Sequence, residues 1–303
     1  MKVLRTPDER FANLPGFPFA PHYVEVPDGV GGTLRVHHLD EGPRDGKIVL
    51  LMHGNPSWSY LWRKMIPPIA AAGYRCVAPD LVGLGRSDKP ADLADYTVAR
   101  HVEWMRAALF DRLDLRDVNL VCQDWGGVIG LRLVAEHPGR FRSVVAANTG
   151  LPTGQTPVSE DLRKWPEFAR SLPEFNVGQL VGMGCTKGLS PEETAAYDAP
   201  FPDESYKAAA RSFPGLIPMT PDDPAVPDQL RAWESLDRFA SPVLCAFSDQ
   251  DPFNRGGNKA IEKRIPGAQG QPHTTIRGGG HFLQEDCGPE LAAVVLDFLA
   301  ARA

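Results

Sequence analysis

Cysteine is scarce in this sequence, and the cysteines that are present form no recognisable pattern. The chain has five, an odd number with scattered spacing. A disulfide framework or a cysteine-based metal site would need a paired or clustered set, so we expect neither. Reduced thiols of this kind are typical of a cytoplasmic protein. The five are Cys76, Cys122, Cys185, Cys245 and Cys287.

Long apolar runs and an excess of positive charge are also missing. Glycine, proline or charge interrupts every apolar stretch, and no apolar run follows the charged first residues. We therefore expect no membrane segment and no secretory signal. The net charge of −6 argues against a nucleic-acid partner, which would require a basic face. A chain of 303 residues with 43% hydrophobic residues can form a large core.

Short β-rich runs alternate with amphipathic helical segments along most of the chain. This alternation predicts an α/β fold with a mostly parallel, twisted sheet that helices cover on both faces. The near-continuous apolar run 48–52 is typical of a strand buried on both faces. Further strands are predicted at 75–78, 118–122, 143–147, 243–247 and 273–276, and helices at about 60–72, 97–112, 126–137, 255–265 and 289–301.

Two departures from this alternation determine the predicted organisation. Segments 22–26 and 34–39 flank a glycine-rich turn and predict an antiparallel hairpin at one sheet edge. Between about 151 and 230, prolines are frequent, helical pieces are short and no strand is evident, while the aromatic content disfavours a disordered linker. We therefore predict a core formed by residues 1–150 and 231–303, with residues 151–230 inserted as a helical cap.

Polar residues follow several predicted strands, at the sheet edge where an open parallel sheet binds ligands. Asp124 follows one strand, Asp251 a later one and His281 the last. This order of nucleophile, acid and histidine is that of α/β-hydrolases. Gly126 and Gly127 are the small neighbours that a sharp strand-to-helix turn, the nucleophile elbow, requires. Asp124 could instead be only a helix cap, but its coincidence with Asp251 and His281 favours catalysis.

A carboxylate at the elbow predicts a particular class of reaction. It needs no deprotonation at neutral pH and can displace a leaving group from a saturated carbon, which leaves an ester on the enzyme. His281 would then remove a proton from the water that attacks the ester of Asp124. Asp251 would orient the imidazole and stabilise its charged form. The backbone N–H groups of Asn55 and Trp125 would bind the developing oxyanion.

Asp249 is the main rival for the acid, since it lies in the same loop as Asp251. We favour Asp251 because it lies further into the loop, where its side chain can turn towards His281. Histidines inside predicted elements, at a helix end or beside the oxyanion loop are poorer candidates for the base.

Several longer motifs resemble those of the haloalkane dehalogenases, which have the α/β-hydrolase fold. They are HGNPSWSYLWR at 53–63, the turn from Gly83 that ends SDKP at 87–90, and QDWGG at 123–127. The resemblance continues through AYDAPFPDESY at 196–206 and GHFLQE at 280–285, so it spans nearly the whole chain. HGxP and DWGG alone are shared with epoxide hydrolases, whereas the first motif together with the cap segment is more specific.

The resemblance implies that Asp124 is the nucleophile and His281 the base, and that no cofactor or metal takes part. One branch of the family places its acid after the strand that here ends at Ala147. Asn148 occupies that position in this sequence. The chain therefore resembles the branch whose acid follows the next core strand, in agreement with Asp251.

That branch holds the leaving halide between two tryptophan N–H groups, which implies Trp125 and a cap tryptophan, Trp165. An indole is a donor only, which suits a halide that leaves in an apolar site. Trp165 could alternatively be a packing residue that anchors the cap.

The resemblance implies hydrolysis of haloalkanes to a primary alcohol, a halide and a proton, so the expected partners are a haloalkane, a halide ion and water. Two alternatives remain open. An epoxide hydrolase would activate the epoxide oxygen with cap tyrosines such as Tyr197 and Tyr206, and a catalytically silent relative would only sense a ligand. We expect a monomer in the cytoplasm, without nucleic-acid or membrane partners.

Overall fold

An eight-stranded sheet forms the centre of the computed structural model, which describes residues 1–155, 158–254 and 256–301. Its strands are β2 (His22–Pro27), β3 (Thr33–Glu41), β4 (Ile48–Met52), β5 (Arg75–Pro79), β7 (Val118–Gln123), β8 (Phe141–Ala147), β9 (Val243–Ser248) and β10 (Thr274–Ile276), while β1 (Val3–Leu4) and β6 (Lys89–Pro90) pair separately. The order in space is β10-β9-β8-β7-β4-β5-β3-β2.

Neighbouring strands from β10 to β5 are parallel, and the antiparallel pairs are β5 with β3 and β3 with β2. The predicted, mostly parallel sheet and the hairpin at its edge are therefore confirmed. Leu50, Leu120 and Val144 on the central strands are fully buried. Helices cover both faces of these strands, so apolar residues run along them without alternation. Each such side chain contributes about 1.5–3 kcal/mol through burial.

The helices largely follow the predicted pattern. They are α1 (Ile66–Ala71), α2 (Val98–Arg106), α3 (Trp125–Glu136), α4 (Glu160–Ser171), α5 (Val177–Met183), α6 (Pro191–Asp198), α7 (Ala208–Ser212), α8 (Val226–Leu236), α9 (Asn258–Arg264) and α10 (Leu283–Ala300). A π-helical turn, Ala107–Arg112, extends α2 to the predicted end. Residue 255 of the predicted helix 255–265 lies outside the described residues.

Two helix boundaries differ from the prediction. The segment 60–72 is divided into a 3₁₀ turn, Ser59–Trp62, and α1. Proline fits best in the first turn of a helix, where its missing N–H costs no hydrogen bond, and the pair at 67 and 68 stands in the first turn of α1, which begins at Ile66. Helix α10 begins before the predicted 289, because it continues across a kink at Cys287.

Between β8 and β9, the described residues form helices and turns but no strand. Helix α8 runs through the predicted boundary at 230 and packs against α3. The division into a core and a cap at 151–230 therefore stays a prediction. No helix of the described residues has the length and apolar character needed to cross a bilayer.

His101 lies on α2 in an apolar environment. Both of its ring nitrogens are buried and have no hydrogen-bond partner among the described residues. The ring stacks on Phe213 with the centroids 4.3 Å apart, and Tyr96 and Trp104 also contact it. Burial lowers the pKa of His101 to about 3. The folded protein therefore keeps this ring neutral under conditions in which the unfolded chain would protonate it.

Replacing His101 with Phe should stabilise the protein, most strongly at acidic pH. Phe keeps the ring contacts and removes two unsatisfied polar atoms. Because the pKa is depressed on folding, the wild-type protein loses stability as pH falls from 6.5 towards 3, by about 1.4 kcal/mol per pH unit, and the variant does not. Thermal unfolding at about pH 8 and about pH 5 measures this difference. An equal change in Tm at both pH values would contradict the interpretation.

Candidate active site

Asp124 lies at a sharp turn between β7 and α3, with φ 52° and ψ −127°. A positive φ is costly for a residue with a side chain and is typical of the nucleophile elbow. The neighbouring glycines are required by close contacts. A Cβ on Gly126 would overlap the backbone of Met52, and one on Gly54 would overlap the carboxylate of Asp124 itself. The turn can therefore lie directly against the end of β4.

The carboxylate of Asp124 does not cap the helix that follows it. Its side chain makes no capping hydrogen bond. Instead, Oδ1 accepts the backbone N–H of Asn55 at 2.7 Å. The N–H of Trp125 is the first of α3 and has no intrahelical acceptor. Both predicted oxyanion donors thus belong to residues that adjoin the carboxylate, and the geometry favours a nucleophile over a helix cap.

His281 lies between two carboxylates. Its Nε2 is 3.5 Å from Oδ2 of Asp124, and its Nδ1 is 3.1 Å from Oδ1 of Asp251. Asp251 also accepts the backbone N–H of Phe253 at 2.9 Å and the side-chain amide of Asn254 at 3.1 Å. These contacts hold the acid in the orientation that it needs to contact the imidazole.

Asp249, the rival acid, is exposed and makes a different contact. Its Oδ1 accepts the backbone N–H of Gly278 at 2.8 Å. The structure therefore brings Asp251, and not Asp249, into contact with His281.

Both carboxylates influence the charge of His281. Burial opposes the imidazolium, but Asp251 and Asp124 outweigh it and raise the pKa of His281 to about 10. Burial would also raise the pKa of Asp251, yet the charge and hydrogen bond of His281 lower it below its usual value. The two carboxylates therefore favour the protonated form of the ring in the free protein.

Two amide side chains that the sequence analysis did not assign to the site hold the loop of His281. The amide nitrogen of Gln123 lies 3.2 Å from Nε2 of His281 and donates to its carbonyl at 3.1 Å. Nδ2 of Asn148 donates to the carbonyls of Gly280 and His281 at 2.9 and 3.1 Å. Each amide stands at the buried end of an apolar strand, where an unpaired polar group is costly. That position was the sequence signal for a structural partner.

A cavity of about 130 Å³ adjoins Asp124 and His281, and the two predicted halide donors, Trp125 and Trp165, both line it. Among the described residues, neither indole N–H is paired with an acceptor. Phe253 lies between Trp165 and His281, with ring-centroid distances of 5.6 and 5.1 Å. Two residues with uncommitted indole donors therefore line the cavity next to the carboxylate.

A second cavity of about 260 Å³ meets the first at Asp124. Five residues line both cavities: Asp124, Trp125, Leu162, Ile217 and Phe253. The carboxylate therefore faces space on two sides.

The two tyrosines of the predicted cap do not line the cavities beside Asp124. Neither Tyr197 nor Tyr206 is among the described residues that line either cavity. Tyr197 is fully buried, and its hydroxyl donates to Glu285, whose carboxylate also pairs with Arg63. The structure thus lacks, among the described residues, the tyrosine donors that epoxide activation would need.

One group of side chains has the spacing of a metal site but not its chemistry. Cys245, Glu262 and His273 lie close enough to share an ion. However, Nδ1 of His273 accepts the backbone N–H of Cys245 at 3.0 Å, and its Nε2 lies 2.9 Å from the carbonyl of Ala268. A metal-binding histidine must offer a free nitrogen, so this group does not fit a metal.

Similarity to proteins of known family assigns this chain to a family. The family model of the alpha/beta hydrolase fold matches residues 47–286. The chain is 56% identical over 299 residues to a haloalkane dehalogenase of Psychrobacter cryohalolentis, covering 99% of this chain and 98% of that protein. This chain belongs to the haloalkane dehalogenase family. It is also 50% identical over 300 residues to the family member of Mycobacterium marinum, covering 98% of this chain and all of that protein (100%).

Solved structures of the family agree with this assignment. The tetrameric haloalkane dehalogenase of Paraglaciecola agarilytica superimposes with a TM-score of 0.88 at 38% identity, covering 98% of both chains. The predicted α/β-hydrolase fold and the predicted family are therefore confirmed.

The acid can be tested by comparing two conservative substitutions in one loop. Asp251→Asn should slow hydrolysis of the covalent ester by about 10⁴-fold, because the imidazolium loses its partner and the ring tautomer changes. Asp249→Asn should change it less than about threefold, since its carboxylate only accepts a backbone N–H at the surface. Single-turnover kinetics measure both rates. The opposite ranking would assign the acid to Asp249.

Proposed function

We propose that this protein hydrolyses the carbon–halogen bond of haloalkanes through a covalent alkyl ester on Asp124. One observation carries the proposal. The carboxylate at the elbow lies 3.5 Å from an imidazole and lines a cavity together with Trp125 and Trp165, whose indole N–H groups have no acceptor among the described residues. Membership of the haloalkane dehalogenase family agrees with this chemistry.

In the first step, Oδ2 of Asp124 attacks the carbon that bears the halogen. Oδ1 is held by the N–H of Asn55, which leaves Oδ2, on the side of His281, as the oxygen that attacks. The electron pair of the carbon–halogen bond leaves with the halide, and the indole N–H groups of Trp125 and Trp165 stabilise this charge as it develops. The second cavity accommodates the alkyl chain, and the product of this step is a neutral ester.

Loss of the Asp124 charge prepares His281 for the second step. The imidazole keeps Asp251 but loses one of its two anionic partners, so its pKa falls and it releases its proton to solvent, as the proton that accompanies the halide. Nε2 then accepts a proton from water, and the hydroxide attacks the ester carbonyl of Asp124. The oxyanion forms on Oδ1, next to the N–H groups of Asn55 and Trp125. As this intermediate collapses, the alkoxide leaves and takes a proton from His281, which gives a primary alcohol. The carboxylic acid that remains on Asp124 then passes its proton to His281, which restores the carboxylate and the protonated ring.

The alternatives are less consistent with the site. An epoxide hydrolase would need cap tyrosines at the cavity, whereas Tyr197 is engaged with Glu285. A silent ligand sensor would not need an imidazole held between two carboxylates.

The oligomeric state differs from expectation in one relative. The 38% identical structural neighbour is tetrameric, which argues against the predicted monomer.

The covalent step can be tested by removing the base. His281→Phe should still release one equivalent of bromide from a terminal bromoalkane and then stop, because attack by Asp124 does not require the imidazole. Mass spectrometry should find the alkyl group on the peptide that contains Asp124. Wild-type protein is the control and should release both bromide and alcohol in repeated turnovers. An adduct on another residue, or full turnover by the variant, would refute the mechanism.

The halide donors can be tested by deleting one N–H group. Trp165→Phe keeps the apolar bulk but removes a hydrogen bond to an anion, worth about 1.5–3 kcal/mol, so alkylation should slow and halide affinity weaken by about 10- to 100-fold. Trp58→Phe is the control, because the indole N–H of Trp58 already donates to the carbonyl of Ala196 and Trp58 lines neither cavity. Quenching of tryptophan fluorescence by bromide measures the affinity. Unchanged affinity in Trp165→Phe would place the second donor elsewhere.

A further inference from the structure

The segment that follows α5, residues 184–187, lies directly against the turn 278–282, which carries His281. The backbone N–H of His281 donates to the carbonyl of Gly184 at 2.8 Å. Since residues 184–187 belong to the predicted cap, this contact joins the cap to the backbone of the proposed base.

Two glycines make the close approach of these segments possible. A Cβ on Gly280 would overlap the carbonyl oxygen of Gly184. A Cβ on Gly184 would in turn come within 2.7 Å of the Phe282 ring. Neither position can carry a side chain unless the two segments separate.

The carboxylate of Asp286 links the same two segments. Its Oδ2 accepts the backbone N–H of Gly280 at 2.8 Å and that of Thr186 at 3.0 Å. Its Oδ1 accepts the backbone N–H of Lys187 at 2.9 Å. The residue is 5% exposed, so water competes little for these donors. Asp286 does not line either cavity, and the proposed mechanism gives it no role.

We propose that Asp286 is a positioning residue for His281, binding the turn of the base and the cap segment into one unit. The inference rests on the proposed function. Gly280 immediately precedes His281, so the orientation of its peptide group determines where the imidazole points. Hydrogen bonds from N–H groups to a charged carboxylate are shorter and stronger than those to a neutral acceptor. Asp286 thereby restricts Nε2 to the position from which it can reach the water that attacks the ester.

The two steps of the reaction separate positioning from general structural support. Alkylation of Asp124 does not use the imidazole, whereas hydrolysis of the ester does. A displaced His281 would therefore slow only the second step, and the alkyl-enzyme would accumulate. A variant that merely loosens the site would slow both steps together.

Asp286→Asn tests this difference, because the amide replaces one acceptor oxygen with an NH₂ group that cannot accept an N–H. Ester hydrolysis should fall by about 10- to 100-fold, while alkylation changes by less than about threefold. Rapid quenching with a terminal bromoalkane, followed by mass spectrometry of the intact protein, measures both rates. Asp198→Asn is the matched control, since its carboxylate accepts the backbone N–H of Gly178 within the predicted cap. It should leave both steps within about threefold of wild type.

Equal slowing of both steps in Asp286→Asn, or no slowing, would overturn the inference. A wild-type protein that forms no alkyl ester would instead refute the proposed function. If circular dichroism shows that Asp286→Asn does not fold, Thr186→Val serves as the second test of the inference. That variant removes only the hydroxyl that donates to the carbonyl of Gly278 at 2.6 Å. It should slow hydrolysis alone by about fivefold, and an equal effect on both steps, or none, would overturn the inference.

Discussion

His281 is buried between Asp124 and Asp251, and the charge on this group of three has to change during the proposed reaction. Two carboxylates beside one imidazole favour its protonated form, which keeps the buried negative charge partly compensated while Asp124 waits as a nucleophile. Esterification then removes one negative charge. In the proposed reaction, formation of the ester on Asp124 thus also lowers the pKa of His281, which activates the water that hydrolyses this ester.

The arrangement requires that His281 hold its position while its charge changes, and its backbone supplies much of this restraint. Amides from the ends of the central strands, Gln123 and Asn148, bind the carbonyl of His281. The carbonyl of Gly184, in the segment that follows α5, accepts its N–H. The backbone of His281 is therefore held by the sheet on one side and by this segment on the other, so packing of the segment bears directly on the position of the imidazole.

Much of the fold was predictable because local patterns and tertiary packing agree. Apolar runs such as 48–52 have no other stable environment than a sheet covered on both faces, and the structure has a strand there. Helix boundaries were less predictable where a proline or a kink intervened, as at Ile66 and Cys287. The proposed site followed from a rule of parallel sheets, since side chains beyond the carboxyl ends of neighbouring strands, such as Asp124, must lie near one another.

The sequence by itself determined the sheet, the family and the identity of Asp124 and His281 as neighbours, because these depend on strand pattern, chain order and motif. Only the tertiary structure showed that Asp251, and not Asp249 two positions before it in the same loop, contacts His281. It also showed that the hydroxyl of Tyr197 donates to Glu285 and that Tyr197 does not line the cavities beside Asp124. Side-chain direction in loops and in a helical cap depends on which partner satisfies each buried polar group. Those partners come from distant parts of the chain, so no local pattern specifies them.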